Sequence, residues 1–352
     1  MPSKTGDTAR SLSSSINVAT RSIHTKLNKL VISRLPLALP PQAEDASQYV
    51  SGLLHVAPIY IAFESLWKAA LEPPRSPETH DFGEDKDVLE GGTSDPAESD
   101  PEDRSSAHSG FVVSPPIRSL LASLYFEKLQ RSQVLERDLS SLTGWSSRTL
   151  AEQLNDASES PVLCNFLAHI RSSVAESPHI LLAYGWVLYM ALFSGGRFIR
   201  ASLENIYPAF WVPVSAQRPA PATLANASFT ESQPLNFFRF DTPEDGEDIK
   251  LEFKKRFLES ESALTGPERE EIVQEACRIF DYMIQLISEL DSICGTDKDT
   301  AEARLLSLRS RDSVVVEKER RQHSAETTQK VAAKAEIGRS MREDEEGHVK
   351  FS

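Results

Sequence analysis

Two adjacent glycines interrupt the most apolar stretch of this chain, and they constrain its fold more than any other feature. Residues 180–193 read Ile-Leu-Leu-Ala-Tyr-Gly-Trp-Val-Leu-Tyr-Met-Ala-Leu-Phe, followed by Ser194-Gly195-Gly196 and then Arg197-Phe198-Ile199-Arg200. No proline breaks the run and the pattern resumes after the glycines, so the segment reads as one long buried helix over about 179–205. Glycine inside a helix costs about 1 kcal/mol against alanine. Two in a row need a compensating reason. Missing side chains let a neighbouring helix or a flat ligand approach the backbone, and they favour a kink. On this feature alone, close helix packing is the plainer reading.

Nearly every other patterned segment is also helical. Ile16, Ala19, Ile23, Leu27, Leu30 and Val31 repeat with a period near 3.6. Similar patterns cover roughly 46–71, 116–142, 147–154, 160–175, 245–263 and 267–293. Pro58 is expected to kink the second of these helices. Almost nothing alternates as a strand would. The reading is an all-α, multi-helical bundle of about seven or eight helices spanning residues 16–293. Residues 1–15 are expected to be flexible.

Residues 73–110 differ in composition. They carry eleven acids against three bases, a net charge of −8 within a whole-chain charge of −14. Such a stretch cannot bury enough apolar surface to order itself, so it reads as a disordered acidic insertion. Residues 213–234 read as a Pro/Ala-rich linker leading to the aromatic cluster Leu235-Asn-Phe-Phe-Arg-Phe240. Residues 294–352 are a polar tail, partly helical or disordered.

The acidic balance argues against nucleic acid as a main partner. Cys164, Cys277 and Cys294 have no zinc-type spacing and look like free thiols of a reducing compartment. The N-terminus lacks the apolar core of a signal peptide, and 180–193 is too short to span a bilayer. A cytoplasmic protein without a transmembrane segment is expected.

Two groups of residues carry candidate chemistry. His24 lies at the edge of the first apolar stripe, with Asn17 and Arg21 on the same flank at i−7 and i−3. A packed core histidine is the bland reading; a neutral imidazole holding a metal is the functional one. Lys250, Lys254, Lys255 and Arg256 form the second group. Lys250 and Lys254 share a helix face, as a solvated surface or as paired arms for carboxylates.

Taken in order, these pieces resemble the heme oxygenase family. The stretches are Ala19-Thr-Arg-Ser-Ile-His-Thr25, Leu188-Tyr-Met-Ala-Leu-Phe-Ser-Gly-Gly196, Leu235–Phe240 and Ile279-Phe-Asp-Tyr-Met-Ile-Gln-Leu286. Weaker echoes occur at Leu54–Glu64 and Leu135–Leu139. The resemblance implies heme between the first helix and the glycine-bearing distal helix, with His24 on the iron. Ser194, Gly195 and Gly196 would then form the catalytic distal segment, with backbone facing the macrocycle. It further implies Arg21, Lys250 and Lys254 at the propionates and Phe280 in the heme pocket.

One departure bears on activity. The family's distal helix typically reads Gly-Asp-Leu-Ser-Gly-Gly, and this chain has Ala191-Leu192-Phe193-Ser194-Gly195-Gly196. The family's Asp holds a water network that supplies protons to the iron-bound oxygen; Leu192 cannot. Ser194 and Tyr189 are the candidate substitutes, and Tyr189 is also a candidate heme contact. Asn17 stands where the family often has a further lysine.

The function implied is heme degradation to biliverdin, iron and carbon monoxide. Heme is both substrate and prosthetic group; O2 and NADPH-derived electrons come through a reductase partner. The chain's end, Arg342-Glu-Asp-Glu-Glu-Gly-His-Val-Lys-Phe-Ser352, carries no apolar anchor of the kind common in eukaryotic members. Loss of the acid at Leu192 motivates the alternative, a heme-binding sink, sensor or weak peroxidase without ring opening. A third reading is a helical scaffold that has lost heme.

Overall fold

A computed structural model describes residues 10–73, 112–213 and 233–295. The N-terminal stretch, the acidic insertion, most of the Pro/Ala-rich linker and the polar tail lie outside these residues. Among the described residues every regular element is helical. The helices are α1 (Leu12–Arg34), α2 (Ser47–Leu71), α3 (Pro115–Ser123), α4 (Ser132–Thr143), α5 (Ser147–Ser158) and α6 (Pro161–Glu176). The long glycine-bearing run Pro178–Leu203 is α7. Glu247–Ser260 is α8 and Gly266–Ile293 is α9.

Local chemistry sets the boundaries. Ser11 caps α1, accepting from the Ser14 amide at 3.3 Å. Thr265 and Glu268 form a reciprocal capping box at the start of α9. Gly144, at φ +72°, ends α4, and Gly246, at φ +83°, precedes α8. A side chain at Gly246 would lie only 2.6 Å from Phe240 and 2.8 Å from Phe193, so the position excludes one twice over.

The 116–142 pattern, read as one helix, is two. The chain turns between Ser123 and Ser132 because Glu64 of α2 captures two amides, those of Arg131 (2.7 Å) and Ser132 (3.0 Å). The buried Arg131 guanidinium donates to the carbonyls of Lys128, Leu129, Gln130 and Arg239. Tertiary hydrogen bonds here override helix periodicity. At Pro58, by contrast, α2 continues as one helix.

Three buried acids tie the bundle together. Glu64 links α2 to the start of α4 and, through Tyr189, to α7. Asp138 of α4 accepts from Asn236 Nδ2 and the Phe237 amide, seating the aromatic cluster. Glu275 of α9 accepts from Tyr184 Oη at 2.5 Å and from His169 Nε2 at 2.9 Å. Burial pushes the pKa of Glu64 and Asp138 up, against the pull of their hydrogen bonds. The aromatic residues Phe237, Phe238 and Phe240 are buried against the bundle.

Helix α7 is 26 residues long, well beyond the 180–193 run, and both it and α2 are long and apolar enough to cross a membrane by length and composition. Both are core helices here: Ala57, Phe63, Trp67, Leu181, Leu182 and Ala183 are almost completely buried. That composition is what a helix packed on several sides requires.

Candidate functional site

The glycines of α7 divide by role. A Cβ on Gly185 would lie 2.9 Å from the Trp67 ring, so this glycine permits close packing of α7 on α2. A Cβ on Gly196 would lie 3.3 Å from Phe238, on the core side. A Cβ on Gly195 would meet nothing within 4 Å. The adjacent glycines therefore do not clear one common face, because neighbouring residues point about 100° apart on a helix. The outward strip is Ala191, Gly195 and Phe198, at i, i+4 and i+7, all exposed, and its bare part is Ala191 and Gly195. One π-helical turn, Gly185–Tyr189, precedes it and a second, Leu192–Gly196, contains Gly195; such turns recur at functional sites.

The direction of each helix shows the level of the strip along the bundle. Along α9, Glu271 meets His179 (2.7 Å) and Glu275 meets Tyr184, so α7 and α9 run in the same sense. His24 meets Phe280 and Arg34 meets Asp291 (2.9 Å), so α1 runs with them. One hydrogen bond joins α1 to α7: Trp186 Nε1 donates to Asn17 Oδ1 at 3.3 Å. His24 lies two turns beyond Asn17, roughly 10 Å along α1. Ala191 and Gly195 lie roughly 8 and 14 Å beyond Trp186 along α7. From a shared crosslink, the histidine and the bare strip advance to the same level.

His24 is exposed, touches Phe280 edge-on at 5.4 Å between centroids, and makes no hydrogen bond to a described residue. Partial burial lowers its pKa from the ordinary 6.5, so the ring is neutral at pH 7 with a lone pair available. Arg21, three residues earlier, is exposed and has no acid partner among the described residues. Lys254 is exposed too; partial burial and repulsion from Lys250 lower its pKa. Lys250 is not a free arm: it bonds Glu247 at 2.9 and 3.2 Å, and Glu247 also pairs with Arg197 at 2.8 Å. The i,i+4 spacing put both lysines on one face, but only the fold supplies Glu247 and Arg197 to hold one of them.

The expected substitutes for the missing acid lie elsewhere. Tyr189 is buried on the opposite side of α7, where its hydroxyl donates to Glu64 at 3.1 Å and accepts from Gln130 at 3.1 Å. Burial, with Glu64 beside it, pushes its pKa well up. It is neither a slot-facing acceptor nor a heme contact. Ser194 is exposed, but its hydroxyl donates back to the Met190 carbonyl at 3.1 Å. Leu192 is buried in the core.

A lone imidazole provides one axial position to an iron that a macrocycle already holds. Among the described residues no cluster of three or more His, Cys, Asp or Glu could hold a metal ion by itself. A neutral histidine, a bare strip of helical backbone and two unpaired cations at the margin fit a flat, iron-bearing ring with carboxylates. A separate polar cavity of about 840 Å³, near Lys68, Arg131 and Arg137, lies on the Glu64 side of the bundle.

Comparison with known proteins points to one family and one fold. The heme oxygenase family profile matches residues 117–289, from α3 to near the end of α9. The chain carries a heme oxygenase-family domain. The match begins after α1, so His24 lies outside it. A curated relative, heme-binding protein HMX1 of Saccharomyces cerevisiae, is 28% identical over 184 residues, covering 50% of this chain and 54% of the relative. The chain thus spans about half the length of that relative. Heme oxygenase 2 of Chlamydomonas reinhardtii, solved without heme, superposes with a TM-score of 0.53 at 19% identity, covering 79% of this chain and 97% of that one. Heme oxygenase-2 of Synechocystis sp. PCC 6803, solved with heme and NO, gives 0.52 at 15% identity, covering 84% and 92%. At those identities the structural likeness establishes the heme oxygenase fold.

The sequence reading missed Trp186. The one signal available was an indole with a polar N–H inside an otherwise apolar run; such a group needs an acceptor when buried.

Proposed function

We propose that the chain binds heme in the slot between α1 and α7, with His24 on the iron, and serves as a heme-binding protein. The observation that carries this reading is the open backbone at Gly195 level with an unbonded, neutral His24. In this reading the exposed Arg21 and Lys254 supply charge-assisted contacts to the propionates. Phe280 orients the imidazole edge-on. When bound, heme supplies an iron that takes up O2 and accepts electrons.

Ring opening to biliverdin, with electrons from an NADPH-dependent reductase in the cytoplasm, is the second reading. The family domain and the bare strip at Ala191 and Gly195 favour it. Against it stands proton supply: Leu192 has no acceptor, Tyr189 is bound to Glu64, and Ser194 is bound to its own helix. Distal polarity governs the fate of bound oxygen.

One experiment decides between them. Purified protein is mixed with hemin, the absorption spectrum is recorded, and ascorbate or a reductase is added. A histidine-type Soret shift that persists without biliverdin supports the binder, and bleaching to a biliverdin band supports the enzyme. Absence of any shift removes both. His24→Ala is expected to abolish the shift.

A further inference from the structure

Among the described residues, one side-chain hydrogen bond joins α1 to α7, and it involves neither the histidine nor a glycine. Trp186 Nε1 donates to Asn17 Oδ1 at 3.3 Å, two helical turns before His24. The Trp186 indole is nearly buried, and its ring lies 4.6 Å from that of Phe257 on α8. Trp186 therefore touches α1 and α8 while sitting on α7. These are the three helices that carry His24, Lys254 and the bare strip.

The pairing is neutral and mutually satisfying. The indole N–H is a donor only, and the amide oxygen of Asn17 accepts it. A cation at position 17 could not accept this bond. Asn17, on the same flank of α1 as Arg21 and His24, is thus committed to holding the two helices together, leaving Arg21 as the first free cation on that flank.

We propose that the Asn17–Trp186 pair is a clasp that sets the separation of α1 and α7 at the closed end of the slot, making both residues positioning residues for the bound ring. This rests on the heme-binding reading. Bringing the histidine helix and the glycine helix to a fixed spacing before the ligand arrives preorganises the site, and preorganisation acts mainly on dissociation.

The test uses the full chain, with and without hemin. Trp186→Phe keeps the ring against Phe257 and removes only the donor. Asn17→Leu removes the acceptor, and Asn17→Asp keeps one. In the ligand-free protein, hydrogen exchange of α1 amides between Ile16 and His24 is expected to rise about 3- to 5-fold in Trp186→Phe and in Asn17→Leu, the scale of one modest hydrogen bond. The double variant should add nothing further, and Asn17→Asp should stay near wild type. Hemin dissociation, followed by transfer to a scavenging apoprotein, should accelerate by a similar factor in both single variants with little change in association.

Unchanged exchange in either single variant overturns the clasp, as do independent effects in the double variant. Raised exchange with unaltered hemin dissociation reduces the contact to an ordinary helix tie and overturns the positioning role. A wild type that shows no histidine-type hemin spectrum removes the heme reading, while the exchange experiment still decides whether the clasp exists.

Discussion

Replacing Gly195 by alanine separates stability from ligand binding, because the structure predicts opposite signs. The added Cβ meets no atom within 4 Å, so it creates no clash in the ligand-free protein. Alanine is favoured over glycine in a helix interior by about 0.5–1 kcal/mol, mostly through the unfolded chain's lost freedom. That gain corresponds to a rise in melting temperature of about 1–4 °C for a domain of this size. Gly185→Ala is the internal control. Its methyl would lie 2.9 and 3.0 Å from two Trp67 ring carbons and 3.5 Å from Phe253, so the same substitution eight residues earlier should destabilise by about 1–3 kcal/mol. Binding should move the other way. A side chain at 195 occupies the strip proposed to face the ring, and Gly195→Leu should weaken hemin affinity by about 10-fold or more, the scale of overpacking a fitted site. Urea unfolding followed by circular dichroism gives the stabilities, and Soret titration gives the affinities. Gly195→Ala that lowers stability, or Gly195→Leu that binds hemin like wild type, would refute the assignment of this face to the ring.

Three further outcomes follow from the same geometry. His24 has its pKa lowered, so its neutral form dominates above 6.5 and hemin affinity should stay flat down to that pH and fall only below it; a Soret titration series with a midpoint above 6.5 contradicts this. Glu64→Ala leaves the amides of Arg131 and Ser132 and the Tyr189 hydroxyl without their acceptor, and should cost about 3–5 kcal/mol in urea unfolding; a loss under 1 kcal/mol would mean water replaces the carboxylate freely. Leu192→Asp puts a carboxyl into a buried apolar position, raising its folded pKa above the unfolded value. Its penalty should be smallest in acid and grow as pH rises through the raised folded pKa, and a variant equally stable at pH 5 and pH 8 would show that residue 192 reaches water.

Much of the architecture was legible in the chain. The period of Ile16 to Val31 foretold α1, and the apolar period over 267–293 foretold α9. The break between α3 and α4 was not legible, because its cause is Glu64, almost seventy residues away in sequence. The same limit governs the site. Spacing alone made Lys250 and Lys254 equivalent, and Glu247 with Arg197 made them different. Tyr189 read as a candidate acceptor and heme contact from the resemblance, yet its helix face points to Glu64.

Composition and periodicity along the chain determined an all-α bundle, an apolar helix carrying adjacent glycines, and the absence of an acid at Leu192, since each depends only on residue identity and local repeat. Which glycine stands bare, which lysine stays free, and what Asn17 holds were decided by the tertiary structure alone. Those properties depend on the face each side chain presents and on partners supplied by distant segments, and only packing brings such segments within hydrogen-bonding distance.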